Sequence, residues 1–358
     1  MVLRILIVGG GIAGQAAGLA LRRAGHHVQI FEKSHLTPTD TSGAVVHLGP
    51  KSNDLVRSWG VDEAVAAGVL TKEITELNRD GSPKESDSIS PPGWMYYGRS
   101  RLHRGLQGAA TASMGAGVPV ELHLGAEVLA VDCNSASVAL RDGRDFVGDV
   151  VVGADGFEST VRKMVTSYDS IAVPDQKIAV QLRLHAHSGP FTERFRSHPE
   201  RYEKWAGTDL ELNVYSIEPG QLLLDCTLPA QAGTEVTSPW IKDQLVQAFA
   251  HEQSELTQLL GALDAEDIHS WTQAEYPRVQ KWTSEKAVLV GDAAHPFLPH
   301  EHPGTSQSLN DALALASELA SDVEVEQVKD RLVAWEGPRK ERLKALPCYY
   351  ASTWTWDS

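Results

Sequence analysis

Apolar runs that change period divide this chain into elements. Leu3–Val8 is short and continuously apolar, the pattern of a strand buried on both faces of a parallel sheet. Six glycine-rich positions follow. Ala16 to Arg23 then repeat with helical spacing, Gly25 closes the helix, and "HVQIFEK" predicts a second strand ending at Glu32. "VVVGADGFESTVR", Val150–Arg162, repeats the scheme: an apolar strand, a Gly-Ala-Asp-Gly turn, and a helix beginning at Ser159–Arg162. "VLVGDAAHPFLPHEHPGTSQSLNDALALA", Val288–Ala316, does so a third time, with a loop heavy in Pro and His before a helix that starts near Ser306. Between these, Lys177–His185 alternates, with Ile178, Val180, Leu182 and Leu184 on one face and Gln181, Arg183 and His185 on the other. Hairpins are predicted with Asp142-Gly143 near one turn and about Pro219-Gly220 at another. Trp240–Leu263 predicts one amphipathic helix, and Pro338 should break or kink the last helix.

The first turn carries specific chemistry. Gly9-Gly10-Gly11-Ile12-Ala13-Gly14 fits G-x-G-x-x-G between a strand and a helix. Gly9 permits the tight turn, Gly11 lets backbone approach a pyrophosphate, and Gly14 allows close packing of helix on strand. The helix N-terminus offers free N–H groups and partial positive charge to phosphates. Glu32, 18 residues after Gly14, can accept hydrogen bonds from ribose hydroxyls.

Composition narrows the partners. Lys+Arg 32 against Asp+Glu 47 gives a net charge of −15, which argues against nucleic acid and anionic membranes. Cys133, Cys226 and Cys348 are too scattered for a disulfide framework or a zinc site. A reducing, cytoplasmic setting is the expectation, and no apolar run is long enough for a transmembrane helix. The N-terminal apolar stretch is interrupted by three consecutive glycines, so it reads as the nucleotide turn rather than a signal peptide.

The combination of "GGGIAG", "GADGFESTVR" and "GDAAHPFLP", in that order, resembles the FAD-dependent monooxygenases of the p-hydroxybenzoate hydroxylase and salicylate hydroxylase type, from Val2 to about Arg342. The resemblance implies an α/β protein: a Rossmann-like (GR2-type) FAD-binding domain with an inserted substrate domain built on a mixed β-sheet. The expected division is 1–71, 99–166 and 283–345 for the FAD domain and 72–98 and 167–282 for the substrate domain, with 346–358 as a tail. It also implies that the third turn serves the same cofactor as the first. The first would hold the adenosine side and pyrophosphate, and Asp292 the ribityl or pyrophosphate groups. The resemblance further implies FAD contacts from Gly9, Gly11, Ile12, Ala13 and Gly14, and from Glu32 and Lys33. Asp155 would contact both FAD and NAD(P)H, while Arg162 falls where the family carries a basic residue. Gly291 and Asp292 belong to the late turn, and Pro299, Gly304, Thr305 and Ser306 to a loop along the flavin ring. "YGRSRLHRGL" matches the family segment His-Arg-x-x-Leu, which makes Arg99 a FAD contact, although Arg101 stands where an acid is common. The flavin loop departs from the family's Pro-x-x-x-Gln-Gly-Ala-Asn-Gln: Gly304 and Gln307 match, and Pro303, Thr305 and Ser306 do not.

The implied activity is that of a single-component monooxygenase. NADPH or NADH reduces FAD, O₂ gives a flavin C4a-hydroperoxide, and one oxygen passes to an aromatic or enolic small molecule. No second G-x-G-x-x-G exists, as expected if the pyridine nucleotide docks transiently. His300, His302 and His47 are candidate bases for a phenol. His295 reads as a packed residue of its motif, and Arg183 as a candidate cation for an acidic substrate. His300, Glu301 and His302 read as loop rather than as a metal site, so no metal is expected. A dehydrogenase or reductase on the same fold and a non-catalytic FAD-binding protein remain open, as does a monomer or homodimer.

Overall fold

The computed structural model describes residues 1–36, 45–78, 80–84, 93–167, 173–185, 190–207, 210–218, 221–229, 235–249, 255–275, 278–297 and 304–346. Its first sheet has six strands in the order Thr283–Ser284, Ala287–Leu289, Val150–Gly153, Arg4–Val8, His27–Glu32 and Glu121–Leu124. All neighbours are parallel except the first pair. Ile5, Leu6 and Ile7, like Val150, Val151 and Val152, are all buried, so both faces of this sheet are covered. Helix Ile12–Arg23 packs on helices Arg99–Thr111 and Gly304–Glu318.

A second six-stranded sheet runs in the order Ile268–Glu275, Val173–His185, Gln221–Pro229, Glu211–Glu218, Arg201–Ala206 and Glu73–Leu77. It is antiparallel but for its last pair. The predicted alternation holds: Ile178, Val180, Leu182 and Leu184 enter a core with Ile241, Leu245, Leu256 and Leu260. The opposite face looks toward a three-stranded sheet of Val45–Leu48, Trp94–Gly98 and Val69–Thr71. There Tyr215 and Tyr202 stack on Tyr96, at 4.7 and 5.6 Å between ring centroids. This aromatic cluster joins the two sheets.

Two expectations change. Trp240–Leu263 is not one helix but two, Ser238–Ala248 and Glu255–Gly261. The apolar period continues across both, and the Thr257 hydroxyl donates to the Phe249 carbonyl at 2.7 Å, so packing alone could not reveal the break. Pro338 does not end its helix, which runs Val328–Lys344. Pro338 and Ala334, whose carbonyl loses its N–H partner, both face water, and buried Trp335 and Arg339 anchor the helix on either side of the lesion. The helix expected near Ser306 runs Gly304–Glu318. The hairpins stand as paired strands: Ser137–Leu140 with Asp145–Val147, where Gly143 takes φ +87°, and Glu211–Glu218 with Gln221–Pro229, whose connection lies outside the described residues.

Candidate active site

The three glycine turns end on adjacent strands of the parallel sheet and touch one another. The Ala154 N–H donates to the Val8 carbonyl at 2.8 Å, and the Val290 N–H to the Gly153 carbonyl at 2.9 Å. A Cβ on Gly9 would lie 2.5 Å from the Ala154 carbonyl oxygen, and one on Gly291 would lie 2.8 Å from the Ala13 Cβ. Only glycine permits this approach, and both also hold positive φ, +99° and +58°.

Above the turns lies a cleft of about 720 Å³. Gly9, Gly11, Ile12 and Ala13 line it from the first turn, Asp155 from the second, and Asp292, Gly304 and Thr305 from the third. Toward the edge of the parallel sheet it is bordered by Glu32, Lys33 and Ala126, and Arg99 borders it as well. Toward the second sheet it is bordered by His47, Phe297, Gln181, His269 and Trp271. Gly14, Arg162, Gly291, Ser306 and Arg183 are not among its lining residues. Pro299, His300 and His302 lie outside the described residues.

A dinucleotide fits this cradle. A Cβ built on Gly11 meets nothing within 4 Å, so the backbone there opens onto the cleft at the start of helix Ile12–Arg23. Glu32 accepts the Gly10 N–H at 2.7 Å and the Ser34 N–H at 2.8 Å, which fixes its carboxylate at the cleft wall with lone pairs to spare. Asp155 is built into its own turn. It accepts the Ser159 hydroxyl at 2.5 Å and the Val161 N–H at 3.1 Å, while Ser159 caps the following helix by accepting the Arg162 N–H at 2.8 Å. Burial pushes the Asp155 carboxyl above its ordinary value, against the pull of these donors. Burial also raises Asp292, with Arg99, His295 and Arg162 drawing it back.

Arg162 acts from behind the cleft. It is buried and donates to the Asp292 and Ala293 carbonyls at 3.1 Å each and to the Phe157 carbonyl. The guanidinium therefore buckles the second turn to the third. Leaving such carbonyls without a donor costs about 1–3 kcal/mol, so Arg162→Met should weaken FAD binding about tenfold. Titration of apoprotein with FAD, followed by flavin fluorescence, checks this; unchanged affinity would mean the turns stand without the buckle.

His47 lies in the cleft and packs edge-on against Tyr96, 4.0 Å between centroids. Beyond it, Tyr215 donates to Asp225, Tyr202 donates to Asn213 at 2.7 Å, and the Asn213 amide donates to Asp225 at 2.9 Å. Sequence reasoning missed His269, Trp271 and this network. The alternation of "IHSWTQ" puts His269 and Trp271 on one face, but nothing local says that the strand pairs with Val173–His185.

The fold and cleft define a dinucleotide-binding protein whose cleft also reaches the second sheet. A model described as FAD binding domain matches residues 3–348. The chain belongs to this family of FAD-dependent monooxygenases. It is similar to hispidin-3-hydroxylase of Neonothopanus nambi, at 28% identity covering 95% of this chain and 86% of that protein. It is also similar to aurachin C monooxygenase/isomerase of Stigmatella aurantiaca, at 30% identity with the same shares covered. Among solved structures, Klebsiella pneumoniae HpxO complexed with FAD and uric acid superposes with a TM-score of 0.80, at 17% identity over 95% of this chain and 85% of that one. No helix among the described residues is long and apolar enough to cross a membrane.

Proposed function

We propose that the protein is a single-component monooxygenase that uses NADPH or NADH to hydroxylate an aromatic or enolic small molecule. One observation carries this reading: a single cleft joins all three nucleotide turns to a wall of the second sheet, in a chain with one G-x-G-x-x-G. Bound FAD, once reduced, supplies the activated oxygen. The chain's own residues do the rest. Gly11 and the helix start would hold the pyrophosphate, Glu32 the adenosine ribose, and Asp292 the ribityl side. Phe297 and Trp271, which border the cleft, would exclude water from it, which strengthens polar contacts within. Of the candidate bases His47 borders the cleft, and we assign it the task of taking a proton from a substrate hydroxyl.

The purified protein should be yellow, with one non-covalent FAD released intact on denaturation. NADPH or NADH should bleach it, and turnover under ¹⁸O₂ should place one labelled atom in the product. Unlabelled oxidised product would instead favour a dehydrogenase on the same scaffold. A colourless protein that cannot be reconstituted with FAD would remove the proposal.

A further inference from the structure

We infer that the substrate is an uncharged aromatic ring bearing a hydrogen-bond donor, and that Gln181 is the residue that orients it. The inference rests on the monooxygenase reading above and concerns the far wall of the same cleft. In the second sheet, Gln181 is paired with His269 on one side and with Asp225 on the other, and Asp225 is paired with Asn213. Paired residues in antiparallel strands share a face. The four side chains thus form one polar row across four strands, on the face away from the Ile178, Val180, Leu182 and Leu184 core.

The members of the row are not equivalent. Asn213 and Asp225 bond each other, and Tyr202 and Tyr215 complete them. Gln181 borders the cleft, and its Oε1 is buried without a hydrogen-bond partner among the described residues. A buried acceptor left in that state is costly, and a turn of the Gln181 amide would bring it to the cleft, where a substrate O–H or N–H would satisfy it. The exposed edge strand adds His269 and the face of Trp271 beside it, a polar contact and a stacking surface for a ring.

Charge decides the class. The described lysine and arginine residues that border the cleft are Lys33 and Arg99, both on the dinucleotide side. The second sheet offers the cleft an amide, an imidazole and an indole, with the Asp225 carboxyl behind the amide. Arg183 follows Gln181 on the same face but does not border the cleft. A carboxylate drawn from water into this end would meet no guanidinium or ammonium to pair with among the described residues that border the cleft there, which is unfavourable. A neutral ring meets no such demand.

The test uses the FAD-loaded protein and isothermal calorimetry with two matched pairs: 4-hydroxybenzamide against 4-hydroxybenzoate, and 4-hydroxyquinoline against 4-hydroxyquinoline-2-carboxylate. In the wild type the neutral member of at least one pair should bind tenfold or more tighter than its acid. Gln181→Leu should remove about tenfold of that affinity, and Gln181→Arg should invert the preference, both with wild-type FAD occupancy as the check on folding. Equal or tighter binding of the acids, an unchanged affinity in Gln181→Leu, or no binding of any of the four would overturn the inference. Binding heats need no turnover. A protein that shows the preference but fails to be reduced by NAD(P)H would therefore count against the monooxygenase reading alone.

Discussion

Gly11→Val should purify as a folded, colourless protein. The built Cβ meets nothing within 4 Å, and φ −68° with ψ −173° is open to any residue. The only folding cost is that of a poor N-cap residue, about 1 kcal/mol. The cofactor meets the whole effect. In the proposed binding mode backbone at this position contacts the pyrophosphate, and an isopropyl group standing there should weaken FAD binding at least a hundredfold, roughly 2.8 kcal/mol. Gly14→Val is the contrasting case. Its Cβ would sit 1.9 Å from the Gly9 carbonyl oxygen, a distance that no side-chain adjustment relieves. That variant should fail to accumulate as folded protein. Circular dichroism with FAD titration separates the two; a Gly11→Val protein that retains its flavin would place the pyrophosphate elsewhere.

The second large effect is expected at a residue that touches no ligand. Asp311 is fully buried and accepts the Gly291 N–H at 2.9 Å, the His295 ring at 2.5 Å and the Arg339 guanidinium at 2.7 Å. It thereby fixes the third turn from below. Asp311→Ala leaves the buried Arg339 guanidinium with Gln307 but without its counter-charge, and a turn N–H without an acceptor, and breaking such a pair costs about 3–5 kcal/mol. Chemical denaturation should show that loss, and FAD should be released at lower denaturant than the wild type requires. Burial alone would raise the Asp311 carboxyl, but His295, Arg339 and the Gly291 N–H outweigh it and hold it below the ordinary value. A carboxyl with a lowered folded value stabilises fully above its unfolded value, about 3.9, and loses that contribution as pH falls through the lower folded one. The stability gap between wild type and Asp311→Asn should therefore narrow only below about pH 3.9. A gap that instead closes near neutrality would assign the effect to another group.

The sequence showed the strands and glycines of the three turns because each is local: an apolar run, a glycine where backbone must pass close, and an acid at the turn. It also showed the alternation of Ile178, Val180, Leu182 and Leu184 with Gln181 and Arg183, a matter of simple period. Three features were hidden, each for a different reason. Arg162 looks the same whether it faces water or reaches back to the Asp292 carbonyl, 130 positions later. Pro338 breaks a local rule that tertiary anchors override. His269 and Trp271 reach the cleft only through pairing with a strand distant in the chain.

The contacts among the turns also govern when the site can come into being. Arg4–Val8 lies between His27–Glu32 and Val150–Gly153, and Val150–Gly153 must in turn receive Ala287–Leu289. Pairings so far apart in sequence are slow to form, because a long loop must close before any contact rewards it. While the chain is being synthesised, the first turn therefore emerges without the residues that complete it. The second sheet can close in the meantime, since its last strand ends at Glu275. A cleft built by all three turns is complete only once Ala287–Leu289 has paired, so capture of the cofactor is expected late in folding, and bound flavin would report that this last pairing has formed.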